Sequence, residues 1–246
     1  MALYIIGIGL FDEKDITIKG LEAVKKSKYV YLENYTSKFD SSLERLEKFY
    51  EKKIIVADRE MVESKADEII DNAIFNDVSF LVIGDPFCAT THIDLRLRAI
   101  EKNAQVNIIN NASIINSIAI TGLDIYKFGR ITTIPFDNKN IISPINVIKD
   151  NLSLGLSTLV LLDIDSENEK YMTINQAINY LIENGFDRET YIVGCCAIGS
   201  DNPIIKYGKI EELKSYNFNL FLQCLIVPGK MHFMEEEILK KLSKKN

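Results

Sequence analysis

Histidine is scarce in this chain, with only His92 and His232 among 246 residues. They lie far apart in sequence, so a histidine-based metal centre has no ligand set and no metal is expected. Cysteine is almost as rare. Cys88, Cys195, Cys196 and Cys224 form no CxxC pair, and Cys195-Cys196 sits inside an apolar run. That arrangement fits buried free thiols better than a disulfide framework or a zinc site. No apolar run approaches the ~20 residues of a membrane span. The N-terminus has neither a basic n-region nor a small-residue cleavage site, so a cytoplasmic location is the expectation. P-loop and Ser/His/Asp spacings are missing too, which leaves kinase and hydrolase readings without support. A net charge of −6 argues against a surface built for nucleic acid or membrane.

What is present is a globular composition, 47% hydrophobic and 26% charged, able to bury a real core. Apolar strand patterns alternate with helical ones along the whole length. Strands are expected at Leu3–Leu10, Tyr29–Glu33, Ile54–Ala57, Val78–Ile83 and Gln105–Ile109. Helices are expected near 16–27, 41–50, 59–75 and 91–103, with Ser41 or Ser42 as a cap. After Asn110-Asn111-Ala112 a second half begins. It has helices near 113–120, 141–152, 173–184 and 230–242, and strands at 131–134, 158–163 and 190–197. The segments 204–210 and 220–227 read as a strand pair joined by a short acidic helix or turn. The alternation predicts an α/β protein of two domains, residues 1–111 and 112–246, with parallel sheets covered by helices.

Two strand ends carry the chemistry. Phe80 to His92, FLVIGDPFCATTH, puts a rigid turn, the Asp85 carboxylate and several N–H groups where a strand stops. Ligands of open α/β sheets bind outside the carboxyl ends of the strands. Leu3 to Leu10 ends likewise at Gly7-Ile8-Gly9. This pair lacks the third glycine of the dinucleotide fingerprint, and Asp12 opposes a pyrophosphate. A tight turn, or a small-ligand cleft where only glycine lets backbone come close, fits better. Asp85 reads either as an Asx turn or as an acceptor for a ligand's hydroxyl or ammonium group. Ser113 reads as a helix N-cap, beside free N–H groups that suit a carboxylate.

Taken together, YIIGIGLFDEKDITIKGLEAVKKSKYVYLENYTS, GDPFCATTH, the run from Ser113 through ITGLDIYKFGR, LVLLDI and LIVPGKMH resemble the diphthine synthase family. These are S-adenosyl-L-methionine-dependent methyltransferases of the tetrapyrrole methylase type. The resemblance implies two α/β domains with the cofactor cleft between them, and a homodimer. It implies methylation, to the trimethylated form, of the amino group of a modified histidine on elongation factor 2, in diphthamide biosynthesis. It also implies cofactor contacts at Leu10, Asp85, Cys88, Ser113, Ile114, Leu162, Ile198 and Gln223. Gln223 stands where a relative has histidine, Ile198 replaces a smaller residue, and Cys88 a small aliphatic one. Methyl transfer from a sulfonium is an in-line displacement that needs positioning and exclusion of water rather than a metal or nucleophile. The amine must first lose its proton. His92, Tyr126 and Asp163 are candidate bases by position only. Lys38, Arg96, Arg98, Lys127 and Arg130 are candidate docking charges, solvated surface being the commoner fate of such residues. The alternatives are a methylase acting on a small molecule such as a tetrapyrrole, and a non-catalytic cofactor-binding module.

Overall fold

The computed structural model describes residues 1–166 and 168–245, and it divides into two compact units, Met1–Ile115 and Asn116–Asn246. The first is built on β1 (Leu3–Gly7), β2 (Tyr29–Glu33), β3 (Ile55–Ala57), β4 (Val78–Val82) and β5 (Val106–Ile109). All neighbours pair in parallel, in the order β3-β2-β4-β1-β5. Parallel strands are covered on both faces, so their side chains are apolar in both directions. Leu3 and Ile5 join Phe80 and Val82 on one face; Ile6 and Ile8 join Leu81 and Ile83 on the other.

The helices sort between those faces. Ala23 and Val24 of α1 (Ile18–Lys26), with Leu46 and Tyr50 of α2 (Leu43–Tyr50), pack against Ile6 and Leu81. Ile69, Ile70 and Ala73 of α3 (Asp67–Phe75), with Leu95 and Ala99 of α4 (Ile93–Glu101), pack against Leu3 and Phe80. The chain therefore leaves neighbouring β1 and β4 toward opposite faces, which opens a crevice at their carboxyl ends. Ser42 caps α2 by accepting the Arg45 N–H. The expected long helix from 59 is broken: a π-helical turn at Glu60–Ser64 precedes α3.

The second unit contains β6 (Thr132–Ile134), α6 (Ser143–Ser153), β7 (Thr158–Leu162), β8 (Ile164–Asp165), β9 (Lys170–Tyr171) and α7 (Ile174–Glu183). It continues with β10 (Tyr191–Cys196), β11 (Ile204–Lys209), α8 (Ile210–Leu213), β12 (Gln223–Val227) and α9 (Phe233–Lys245). α5 (Ile114–Ser117) lies at the junction of the two units and runs into a 3₁₀ turn at Ile118–Thr121. The main sheet, β11-β10-β12-β7-β6, is parallel only at β6–β7. This corrects the expectation of parallel sheets throughout. The short loop from β10 to β11 has no room for a crossover helix, so β11 returns antiparallel. β12, reached from β11 through α8 on the far side of β10, runs parallel to β11 and antiparallel to β10 and β7. β11 and β12 do not pair with each other either; each pairs with β10, one on each side.

Asn151 of α6 ties the sheet edge together. It accepts the Arg130 N–H at 3.1 Å and donates to the Arg130 carbonyl at 2.8 Å and to Thr158 Oγ1 at 2.9 Å. Gly129 must be glycine there, since a Cβ would lie 2.2 Å from Asn151 Oδ1. Asn151→Ala strands buried partners and is expected to cost about 2–4 kcal/mol in urea unfolding; a loss under ~1 kcal/mol would mean that those groups find water instead.

Candidate functional site at the carboxyl ends of β1 and β4

The β1 and β4 exits meet directly. Gly9 and Gly84 form an antiparallel bridge, with Gly84 donating to the Gly9 carbonyl at 2.7 Å and Gly9 to that of Gly84 at 3.3 Å. Both have φ of +83°, a conformation that glycine adopts without steric penalty. A Cβ on Gly7 would lie 2.5 Å from the Gly84 carbonyl oxygen, so close approach fixes glycine there as well.

Polar side chains stitch this crossing. Asn111, just past β5, donates to the carbonyls of Gly7 and Asp15, both at 2.9 Å. Asp15 turns its Oδ2 onto the loop amides, accepting from Phe11 at 2.7 Å, Leu10 at 3.2 Å and Asp12 at 3.4 Å. Those N–H groups would have to cradle a pyrophosphate in a dinucleotide fold, and a carboxylate already occupies them. Asp12 raised the objection in the sequence; Asp15 enforces it. Its role depends on a loop closing over itself, and no local pattern marks it.

Asp85 is buried. Its Oδ1 accepts from Phe87 N at 3.0 Å, forming an Asx turn, while Oδ2 accepts from Asn110 Nδ2 at 2.9 Å and Asn111 N at 3.2 Å. Burial works against its charge, but the donors of Asn110, Phe87, Asn111 and Cys88 prevail and hold the carboxyl below its ordinary range. The Cys88 thiol lies between Asp85 and Ser113 and bonds to both side chains; burial, its largest influence, pushes it up. Above Gly84 there is room: a Cβ would meet nothing nearer than Leu10 Cδ2 and the Ala112 carbonyl at 3.8 Å and Ser113 Cα at 4.0 Å. Leu10, Asp85, Cys88 and Ser113 thus surround one point, and Ile114 follows as the first residue of α5.

Leu162, Ile198 and Gln223 lie in the second unit. Leu162 ends β7 and Gln223 begins β12, which pair through Leu161 and Cys224; Gln223 pairs with Cys196 of β10, two residues before Ile198. The three therefore share one end of that sheet. The Gln223 side chain is committed within the unit: its amide donates to the carbonyls of Phe218 and Leu220, both at 2.9 Å, and its oxygen accepts the Ile174 N–H at 2.8 Å. Any ligand contact it makes runs mainly through its backbone.

The candidate bases are dispersed. The His92 side chain is fully buried, Tyr126 is 92% exposed, and Asp163 accepts the N–H groups of Phe136 and Ile164, both at 2.9 Å. Of the candidate docking charges, Lys127 pairs with the buried Glu235 and Arg98 with Asp94, while Arg96 sits over the Phe87 ring. His232 lies just before α9, where its Nδ1 accepts the Met234 N–H at 3.4 Å. Among the described residues the cysteines are free thiols and no cluster of metal-ligating side chains occurs. No helix among them is long and apolar enough to cross a membrane.

Residues 2–214 match the model of the tetrapyrrole (corrin/porphyrin) methylases. A diphthine synthase of Methanococcus maripaludis is 44% identical, over 98% of both chains. A diphthine methyl ester synthase of Dictyostelium discoideum is also 44% identical, over 96% of both. A crystal structure of a diphthine synthase superposes with a TM-score of 0.92 at 38% identity, covering 98% of this chain and 96% of that one. With a strand-end crossing built on glycines, and kinship that runs the length of the chain, this protein belongs to the tetrapyrrole methylase family.

Proposed function

We propose that this chain is a methyltransferase of diphthamide biosynthesis, which transfers methyl groups from S-adenosyl-L-methionine to the modified histidine of elongation factor 2. Near-complete coverage of relatives named for diphthine synthesis supports the reaction. The observation that carries the donor site is the convergence of Leu10, Asp85, Cys88 and Ser113 around the open face of Gly84. An ionised carboxylate offers about four lone-pair sites, and three N–H groups take all but one at Asp85. Only the weak S–H donor of Cys88 covers the remainder, and a ligand hydroxyl or ammonium displaces it. Leu10 supplies an apolar wall, and the backbone from Ser113 to Ile114 supplies N–H groups. Leu162, Ile198 and the Gln223 main chain complete the proposed contacts.

When bound, S-adenosyl-L-methionine supplies a methyl group already activated on a sulfonium. The protein's own task is to hold the acceptor in line and exclude water. His92 does not take the acceptor's proton, because its ring has no exposed surface. Full-length similarity to a relative named for the methyl ester favours a second product, in which a carboxylate is methylated as well.

Incubating the protein with labelled donor and elongation factor 2 from a strain lacking this step is expected to label the factor, and mass spectrometry counts the methyl groups added. Tight donor binding with no label on the factor would remove the reading. Asp85→Ala is expected to weaken donor binding at least ~10-fold in calorimetry while the circular dichroism spectrum persists. Unchanged affinity would leave Asp85 as a turn residue only.

A homodimer is the second element of the proposal. On α4, Ile93, Leu97 and Ile100 recur at i, i+4 and i+7 and stay 61%, 54% and 53% exposed, although Leu95 and Ala99 of the same helix are buried. An uncovered apolar stripe of this kind marks an association surface. Light scattering is expected to give a dimer for the native chain and a monomer for Leu97→Asp. A native monomer would overturn the dimer, and a dimeric variant would move the interface away from α4.

A further inference from the structure

Behind the donor loop lies a buried titratable pair that the methyl transfer does not use. Glu33, at the carboxyl end of β2, is fully buried, and its Oε1 accepts the Tyr35 N–H at 2.6 Å and the Thr36 N–H at 2.5 Å. Its Oε2 accepts the Thr36 hydroxyl at 2.7 Å. The carboxylate thereby holds the turn that follows β2. His92, the residue before α4, closes the other loop: its Nδ1 is 2.5 Å from Thr90 Oγ1, and its ring meets Phe80 and Tyr35 edge-on. Nε2 is buried without a hydrogen-bond partner, and the acceptor facing it is Glu33 Oε2, 4.0 Å away. One carboxylate oxygen thus stands between two donors, bonded to Thr36 and just out of reach of His92.

We propose that Glu33 and His92 form a proton-operated latch that positions the Asp85–Thr91 loop. While His92 is neutral, Glu33 grips the 34–36 turn and Thr90 grips the ring. When an opening of the loop admits a proton to Nδ1, that atom ceases to accept the Thr90 hydroxyl and Nε2–H becomes a cationic donor. A charge-assisted bond to Oε2 forms at ~2.8 Å, and the ring must travel about 1 Å to make it. Oε2 keeps the Thr36 hydroxyl, because a carboxylate oxygen has a second lone pair for the new bond, while the ring's travel draws it away from Thr90, so the Asp85–Thr91 loop loosens and the 34–36 turn stays held.

The surroundings set the direction of the response. Burial holds the imidazole below its ordinary range, against the pull of Glu33, the Pro86 carbonyl and Glu63 of the Glu60–Ser64 turn. Tyr35 faces the ring from the 34–36 turn, with Arg59 over its own ring. With the folded value depressed, the unfolded chain binds the extra proton first. Stability and loop order are therefore full at neutral pH and fall as the pH drops below the ordinary histidine range.

The latch rests on the reading of Asp85 and Cys88 as donor contacts, but it can be tested without the donor. Hydrogen exchange of segments 34–36 and 85–92 in the ligand-free chain, corrected for intrinsic rates, is compared at about pH 7.5 and about pH 5.5. In the native protein segment 85–92 is expected to lose roughly tenfold protection on acidification, while segment 34–36, still gripped by Glu33, keeps its own. His92→Asn keeps an acceptor for Thr90 and cannot titrate, so the loss disappears. Glu33→Gln, which leaves protonated His92 without a carboxylate, moves the loss to lower pH and serves if the first variant does not fold. Donor affinity is expected to follow the native exchange, falling roughly tenfold over the same range. Protection that falls equally in the native protein and His92→Asn, or falls in neither, overturns the latch. A native exchange pattern as expected, with no donor bound at any pH, would sustain the latch and remove the donor site instead.

Discussion

The close approach of β1 and β4 at their carboxyl ends is the constraint on which the first unit depends. Gly9 and Gly84 exchange backbone hydrogen bonds at positive φ, and Gly7 lies against the Gly84 carbonyl. A side chain at Gly7 or Gly9 would collide with backbone or with Asp15, and the two exits would separate. Because β1 leads to α1 on one face and β4 to α4 on the other, that contact also holds open the crevice between them. Asn111 and Asp85 are then placed by necessity: two strand exits that meet bury carbonyls and amides, which need partners within the loop.

That economy explains the site's chemical plainness. Asp15 and Asp85 are spent largely on backbone N–H groups, so neither is free to act as a base. A carboxylate fixed by several donors stays ionised and makes a dependable acceptor but a poor proton carrier. Such a site suits a reaction whose electrophile arrives activated, because recognition and placement are then the main work left to the protein.

Much of the first unit could be read from the sequence, since parallel strands buried on both faces appear as short apolar runs and the Gly-Asp-Pro and Gly-x-Gly breaks mark their ends. The capping serine at 42 and the termini of α6 and α7 follow from local chemistry in the same way. The second sheet did not yield to the same reasoning. Strand direction depends on what lies between strands: the short loop after β10 turns β11 back antiparallel, and β12, which crosses over from β11, inherits that reversed direction. Asp15 and Gln223 were opaque for another reason. The partners of Gln223 run up to 49 residues away, and Asp15 bonds to a loop whose path no periodicity encodes. Convergence of Leu10, Asp85, Cys88 and Ser113 came from resemblance; spacing alone offered only strand ends.

His92 illustrates where position in sequence misleads. Following two threonines after a strand-end turn, it has the address of an active-site base, yet the chain folds it inward against Phe80 and Tyr35. Burying an imidazole costs little while it is neutral and much more once it is charged. A residue of that kind contributes through its protonation equilibrium even when it touches no ligand. Since α4 begins at the next residue, a shift of the ring is transmitted both to the loop that carries Asp85 and Cys88 and to the first turn of a helix whose outer face is apolar and exposed. That loop and that helix therefore meet at His92, and a movement of its ring bears on both.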